Sequence, residues 1–202
     1  MPRWTRVLAA LVAACLVLSA CKSSKPKKKE GAATTTSAPG GPPVPGPLTG
    51  TDVPEAKAKR PVLIVKIDND PRARPQAGLN QADVVVEELV EGGATRLAAV
   101  FQGNDADSVG PVRSARSTDV NFFTSMSRPL FAYSGANSVF RVLLRRSVFV
   151  DVGVDALPAA YQRKADRPAP SNLFTATPPL FAKAPSTSSP PAPFWAFRAA
   201  GA

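Results

Sequence analysis

The composition of this chain changes sharply near residue 60, and this change limits where a folded core can form. Residues 31 to 53 are rich in Thr, Ser, Ala, Pro and Gly, and residues 40 to 47 hold only Gly, Pro and one Val. Such a stretch has too few apolar side chains for a core and favours an extended, semi-stiff spacer. Hydrophobic residues make up 44% of the whole chain, so a core is available, and we expect it in residues 61 to 202.

The N-terminal residues have the pattern of an export signal. Arg3 and Arg6 precede an apolar run over residues 7 to 18 that is too short to span a bilayer and typical of a signal peptide. The run closes with Leu18-Ser19-Ala20-Cys21, which resembles the lipobox of bacterial lipoproteins. The resemblance implies a lipoprotein signal peptide over residues 1 to 20 and lipid attachment, with fatty acids such as palmitate, at Cys21. The alternative is an ordinary secretory signal in which this Cys has no role.

The segment from residue 21 to residue 60 predicts a disordered tether, basic at first and then rich in Pro, Gly and Thr. Its five Lys residues at 22, 25, 27, 28 and 29 follow Cys21 closely. Each basic side chain near an anionic leaflet adds about 1 kcal/mol of attraction to the membrane. The run is either a second membrane anchor or a merely solvating stretch. The sequence thus predicts a lipid-anchored protein on the extracytoplasmic face of the cell membrane.

Most of the positive charge lies outside the expected domain. The formal net charge is +10, yet residues 61 to 202 hold 15 Lys and Arg against 12 Asp and Glu. The high overall charge therefore does not indicate a nucleic-acid partner, and we expect none.

The chain contains no His. This excludes Ser-His-Asp and Cys-His nucleophile systems and His-ligated metal sites. We expect no cofactor and no metal, and any catalysis would have to use carboxylates, Lys, Tyr or Ser.

Hydrophobic patterning in residues 61 to 202 predicts a mixed α and β fold. Residues 61 to 67 read as a strand buried on both faces, and residues 83 to 90 and 95 to 101 read as a hairpin around Gly92-Gly93. The spacing predicts helices over 114–127 and 137–146 and strands over 130–133 and 148–152. A strand, helix and strand in that order predict a βαβ unit, hence a mixed sheet.

Several short motifs together resemble a known family. They are Ile67-Asp68-Asn69, Ala73-Arg74-Pro75-Gln76, Gln81-Ala82-Asp83, Glu91-Gly92-Gly93 with Thr95-Arg96, residues 110 to 116, Asp166-Arg167, Ala169-Pro170 and Asn172-Leu173.

These motifs look like those of the YerB-like lipoproteins of bacteria, from about residue 61 onward. The resemblance implies a layered α/β (α+β) sandwich and a domain of unknown function. It also implies a His where this chain has Ser171 and a domain that continues past residue 202, so we expect an incomplete C-terminal part.

Acidic residues follow the predicted central strand. Asp68, Asn69 and Asp70 come where the strand gives way to a loop, and crevices beyond the carboxyl ends of strands favour ligands. The two carboxylates could form an acid/base pair or hold a cation, or the sequence could be an ordinary Asp-rich turn.

A second candidate group lies at the predicted start of a helix. Arg113, Ser114 and Arg116 would place two guanidiniums on one face beside free backbone N–H groups, an arrangement suited to a carboxylate or phosphate. The competing interpretation is internal pairing, in which these Arg residues neutralise Asp68, Glu87, Glu88 or Glu91.

Two functions are compatible with these residues. The first is a non-catalytic binding module of the cell envelope that takes an anionic ligand or a protein partner through Asp68, Arg113 and Arg116. The second is an envelope hydrolase or transferase with Asp68 or Glu88 as base. We favour the binding module, because no catalytic motif is present.

Overall fold

The computed structural model of the protein describes residues 42 to 198. The predicted signal peptide, Cys21, the Lys-rich run and the first part of the predicted tether lie outside the described residues, as do the last four residues. None of the helices among residues 42 to 198 is long and apolar enough to cross a membrane.

Nine strands and four helices follow one another along the described chain. In order they are β1 (Pro43–Pro45), β2 (Asp52–Pro54), α1 (Glu55–Ala58), β3 (Leu63–Asp68), β4 (Val84–Leu89), β5 (Thr95–Phe101), α2 (Ser117–Phe123), β6 (Leu130–Ala132), α3 (Ser138–Arg146), β7 (Val150–Asp151), β8 (Tyr161–Arg163), β9 (Leu173–Thr175) and α4 (Thr177–Phe181).

The main sheet has five strands in the order β4-β5-β3-β6-β7. β4 and β5 form the antiparallel hairpin, and β5 pairs antiparallel with β3. β3 pairs parallel with β6, and β6 pairs parallel with β7. The crossover helix α3 connects β6 to β7 along the chain. The prediction of a mixed α+β fold with a hairpin and a βαβ unit is confirmed.

Two apolar clusters cover the two faces of this sheet, because neighbouring residues of β3 point to opposite sides. Leu63, Val65 and Ile67 pack with Leu173 of β9 and Leu180 of α4. On the other face, Val62 and Ile64 pack with Phe123 of α2 and Leu144 of α3. The sheet thus lies between two layers, as the sequence predicts. The helices α2 and α3 cover one face, and the β8–β9 hairpin with α4 covers the other.

The folded domain begins earlier than residue 61. β1 and β2 pair antiparallel, and a tight turn between them is closed by the Gly46 N–H, which donates to the Thr51 carbonyl at 2.9 Å. Leu48 and Val53 are buried, at 2% and 6% exposure. The prediction of a tether reaching residue 60 is thus wrong from residue 43 onward, because the Pro-rich stretch folds back as a hairpin that buries its few apolar side chains.

The helix predicted over residues 114 to 127 is shorter than expected. Residues 113 to 115 are extended because the Arg113 N–H donates to the Lys66 carbonyl and the Ala115 N–H donates to the Gly135 carbonyl, each at 2.8 Å. These long-range bonds leave only Ser117–Phe123 helical. By contrast, α3 begins as predicted, after Asn137, whose Oδ1 accepts from the Phe140 N–H at 2.9 Å.

Candidate ligand-binding site

Asp68 is the last residue of the central strand β3 and the centre of the candidate site. Its backbone N–H donates to the Pro111 carbonyl at 2.9 Å, and its side chain is almost completely buried. The Oδ2 atom of Asp68 lies 2.9 Å from Nε of Arg113 and accepts a hydrogen bond from the Ser171 hydroxyl at 3.0 Å. The fold therefore brings Asp68 and Arg113 together, and adds Ser171 from a segment 103 residues away.

The Arg113 guanidinium is held by charge rather than by hydrogen bonds. The Nε atom of Arg113 is buried and close to Asp68, but its N–H is not aligned with the carboxylate, so the contact is an ion pair. Among residues 42 to 198 the guanidinium donates no hydrogen bond, and 24% of the side chain is exposed. The remaining N–H groups of Arg113 are thus available to an anionic ligand.

A small cavity opens beside this ion pair. It has a volume of about 140 Å³ and is lined by Asp68, Asp70, Arg72, Arg113 and the segment 168–171. We call it the Asp68 pocket. It combines two carboxylates, two guanidiniums and a hydroxyl.

Asp70 takes part in turn chemistry at the rim of the Asp68 pocket. Its Oδ1 accepts from the backbone N–H and from Nε of Arg72, each at 2.9 Å, and its Oδ2 accepts from Nη2 of Arg72 at 3.0 Å. Hydrogen bonds from Arg72 hold the pKa of Asp70 well below its ordinary value. Asp70 is therefore an ionised, paired turn residue.

Arg167 joins two loops that border the Asp68 pocket. Its Nη1 donates to the Pro75 carbonyl at 2.9 Å and its Nη2 to the Ala73 carbonyl at 2.6 Å. The loop after β3 and the segment that carries Ser171 are thereby held against each other. Motifs that are far apart in the sequence thus meet around Asp68.

Two further guanidiniums act on that of Arg96, and we call Arg96, Arg113 and Arg116 the arginine cluster. Arg96 stands opposite Asp68 in the β3–β5 register, and its Nη1 donates to the Ser114 carbonyl at 3.0 Å. Burial lowers the pKa of Arg96, and the charges of Arg116 and Arg113 lower it further. The cluster thus carries more positive charge than its nearby acids, Asp68 and Glu91, neutralise.

Arg116 is paired within the fold, as one of the two interpretations required. Its Nε donates to Oε2 of Glu91 at 2.8 Å, and its Nη1 donates to the Ala115 carbonyl at 2.8 Å. The bond from Arg116 lowers the pKa of Glu91, whose side chain is 65% exposed. Glu91 is therefore an exposed, ionised counterion.

Several of the backbone N–H groups beside these Arg residues, which the sequence predicts to be free, are bonded within the fold. The N–H groups of Arg113 and Ala115 bond to carbonyls of other segments. The Arg116 N–H donates to Oδ2 of Asp119 at 2.6 Å, so the start of α2 is capped from within. Ser114 contributes its carbonyl, not its hydroxyl, to the cluster.

Glu88 does not join this site, contrary to the sequence-based expectation. It forms a buried cluster with Lys66 of β3 and Asp119 of α2, which we call the lysine triad. The Lys66 ammonium contacts the Glu88 carboxylate and lies 2.8 Å from Oδ1 of Asp119, and Oε1 of Glu88 has no hydrogen-bond partner among the described residues. Burial, together with the charge of Asp119, raises the pKa of Glu88 to about 7.

Sequence reasoning missed Lys66 and Asp119 as members of a charged cluster. The available signal was Lys66 itself, the one charged residue in the apolar run from 61 to 67. A buried Lys requires an anionic partner.

Asn69 also lies outside the pocket. Its Nδ2 donates to Oε1 of Glu87 at 3.0 Å and to Oγ1 of Thr95 at 2.8 Å, toward the β4–β5 hairpin. In the described part of the chain no group of three or more Cys, Asp or Glu residues is arranged to hold a metal ion.

Comparison with known proteins identifies one family and one relative in Bacillus subtilis. Residues 48–189 match the family described as "Protein of unknown function (DUF3048) N-terminal domain". The chain is 42% identical over 94 residues to "Putative lipoprotein YerB" of Bacillus subtilis, a match that covers 46% of this chain and 25% of that protein.

The fold is similar to the crystal structure of the YerB protein from Bacillus subtilis, with a TM-score of 0.62 and 32% sequence identity. This match covers 66% of the chain and 46% of the solved chain, so the protein spans less than half of the length of the relatives it matches.

Proposed function

This chain belongs to the DUF3048 N-terminal domain family, and we propose that it is a membrane-anchored lipoprotein of the cell envelope that binds an anionic ligand without catalysis. The binding site is the arginine cluster together with the Asp68 pocket. The observation that carries the proposal is the Arg113 guanidinium, which is fixed by an ion pair to Asp68 and donates no hydrogen bond among the described residues.

The charges around Arg113 support an anionic ligand. The positive charges of Arg113 and Arg116 both act on Arg96, whereas Asp68 and Glu91 form ion pairs with Arg113 and Arg116. A carboxylate or phosphate between the guanidiniums would relieve that repulsion and accept paired N–H bonds. The ligand is a free anion of the envelope or an acidic group on an envelope protein.

The arrangement of the acids supports binding over the hydrolase or transferase alternative. Chemistry with two carboxylates needs both of them at one reacting bond. Asp68 is ion-paired with Arg113 in the Asp68 pocket, whereas Glu88 is enclosed with Lys66 in the lysine triad. We therefore do not favour Asp68 and Glu88 as a catalytic pair.

Calorimetric titration of the full chain with inorganic pyrophosphate and with citrate tests the ligand class. We expect saturable binding of at least one of them, and Arg113→Gln should weaken it about tenfold because the fork of donors is lost. Arg146→Gln is the matched control, because Arg146 is an exposed Arg on α3 that neither belongs to the arginine cluster nor lines the Asp68 pocket. Binding of neither anion, or equal binding by a folded Arg113→Gln variant, would overturn the proposal.

The anchor is supported by the relative's description as a lipoprotein and by the lipobox-like residues before Cys21. In a bacterial host, Cys21→Ser should move the protein from the membrane fraction to the soluble or secreted fraction. Cys15→Ser is the control and should leave the protein in the membrane fraction. Retention of the Cys21→Ser protein in the membrane would contradict a lipid anchor at this position.

A further inference from the structure

A second cavity lies between α3 and the sheet, away from the residues of the proposed site. Its volume is about 310 Å³, at the lower end of the range for small-molecule sites. Tyr133 directly follows β6, and Asp151 ends β7. The cavity thus opens at the carboxyl ends of two parallel strands, where open α/β sheets bind ligands. We call it the Tyr133 pocket.

The floor of the Tyr133 pocket is apolar. Phe131, Leu144 and Phe149 line it, and Leu144 is buried on the inner face of α3. The Phe131 ring centroid lies 5.0 Å from that of Phe149 and 5.3 Å from that of Tyr133. Phe131 is fully buried beneath the other two rings, so the half-buried Phe149 and Tyr133 give a ligand an apolar surface to cover.

Most polar groups on the wall of the Tyr133 pocket already have partners. The Tyr133 hydroxyl donates to Oδ2 of Asp151 at 2.9 Å, and the Gly153 N–H donates to Oδ1 of Asp151 at 2.9 Å. Arg141 forms an ion pair with Asp155 at 3.1 Å. Burial raises the pKa of Tyr133, which keeps the phenol protonated as a donor to Asp151.

Arg145 is the exception. It lies one helical turn after Arg141 and lines the same cavity. Among residues 42 to 198 its guanidinium has neither an ion-pair partner nor a hydrogen-bond acceptor. Among the described residues, the Arg145 guanidinium therefore keeps its N–H donors free beside an apolar floor.

We propose that the Tyr133 pocket binds a small monocarboxylate with an aromatic or branched apolar body. The Arg145 guanidinium donates paired hydrogen bonds to the carboxylate, and the apolar body packs against Phe149 and Tyr133. A carboxylate fits better than a dianion because Asp151 and Asp155 also line the cavity and would repel a second negative charge. No residue of the arginine cluster or of the Asp68 pocket takes part, so this site is independent of the proposed function.

The probe is phenylacetate, added to isotope-labelled full chain in a non-ionic detergent and followed by amide NMR. We expect saturable shifts that are largest in α3 and in residues 149 to 155. Acetate, which lacks the apolar body, and phenylacetamide, which lacks the charge, should each bind at least about tenfold more weakly.

Arg145→Gln should weaken phenylacetate binding about tenfold, whereas the neighbouring Arg146→Gln should leave it unchanged, since Arg146 does not line the cavity. Both residues are exposed on α3, so neither change should unfold the domain. The proposal is wrong if phenylacetate gives no saturable shift in this region or if both variants bind it equally. Either result leaves the pyrophosphate and citrate test of Arg113 unaffected.

Discussion

The Lys66 ammonium lies 2.8 Å from the Asp119 carboxylate, and both side chains are fully buried between the central strand and α2. Glu88 of the edge strand β4 contacts the same ammonium. Two carboxylates therefore share one cation inside the fold. The lysine triad ties α2 to two strands of the sheet and makes this part of the core sensitive to charge.

Replacing Lys66 by Met should destabilise the protein by about 3 to 5 kcal/mol, because two carboxylates would remain buried without a cation. Urea unfolding followed by circular dichroism measures the loss. Lys59→Met is the control: Lys59 is 70% exposed and pairs with Glu55 on the surface, so its removal should change stability by less than about 1 kcal/mol. A Lys66→Met variant as stable as the Lys59→Met variant would show that the triad does not hold the core together.

The free energy of unfolding should fall as the pH rises from about 5 to about 8 in a way that depends on Glu88. The pKa of Glu88 is raised from 4.5 to about 7 in the folded protein, where Lys66 and Asp119 face it. Between those values the folded protein holds a proton that the unfolded chain has released, so the stabilisation is present below 4.5 and is lost through about 7.

Comparing the pH dependence of urea unfolding in wild-type protein and in Glu88→Gln isolates this effect, since the amide cannot ionise. The variant should lose stability less steeply over the window. Glu91→Gln is the opposite control: Arg116 lowers the pKa of Glu91, so that carboxylate contributes stability that is lost as the pH falls. If wild type and Glu88→Gln have parallel pH profiles, Glu88 is not protonated in the folded state at neutral pH.

Gly78→Ala should be more destabilising than Gly92→Ala. Both glycines have left-handed backbones, with φ of 86° and 71°, so both substitutions carry a similar backbone cost. A Cβ at Gly78 would lie 2.9 Å from the Ser108 carbonyl oxygen, whereas a Cβ at Gly92 would meet nothing within 4 Å. Overpacking adds about 1 to 3 kcal/mol at Gly78. Thermal or urea unfolding of the two variants measures the difference, and equal losses would contradict the close approach at Gly78.

Local signals in the sequence predicted the elements that depend on near neighbours. The Gly92-Gly93 turn predicted the β4–β5 hairpin, and Asn137 with the apolar spacing after it predicted α3. The predictions failed where distant segments compete for the backbone. Residues 113 to 115 are extended because their N–H groups bond to the carbonyls of Lys66 and Gly135. Residues 43 to 54 fold as a hairpin because this places Leu48 and Val53 in the core.

In the candidate site, too, the properties of single residues could be predicted from the sequence, whereas their pairing partners could not. Residue type and local spacing were enough to predict that Asp68 ends a buried strand, that Arg113 and Arg116 pair with anions, and that chemistry based on His is excluded. The partner of each charged residue depends on the fold, which pairs Asp68 with Arg113 and Ser171, Arg116 with Glu91, and Glu88 with Lys66. A charged side chain pairs with whichever opposite charge the strand register and loop packing bring within a few ångströms, and no local pattern in the sequence encodes that distance.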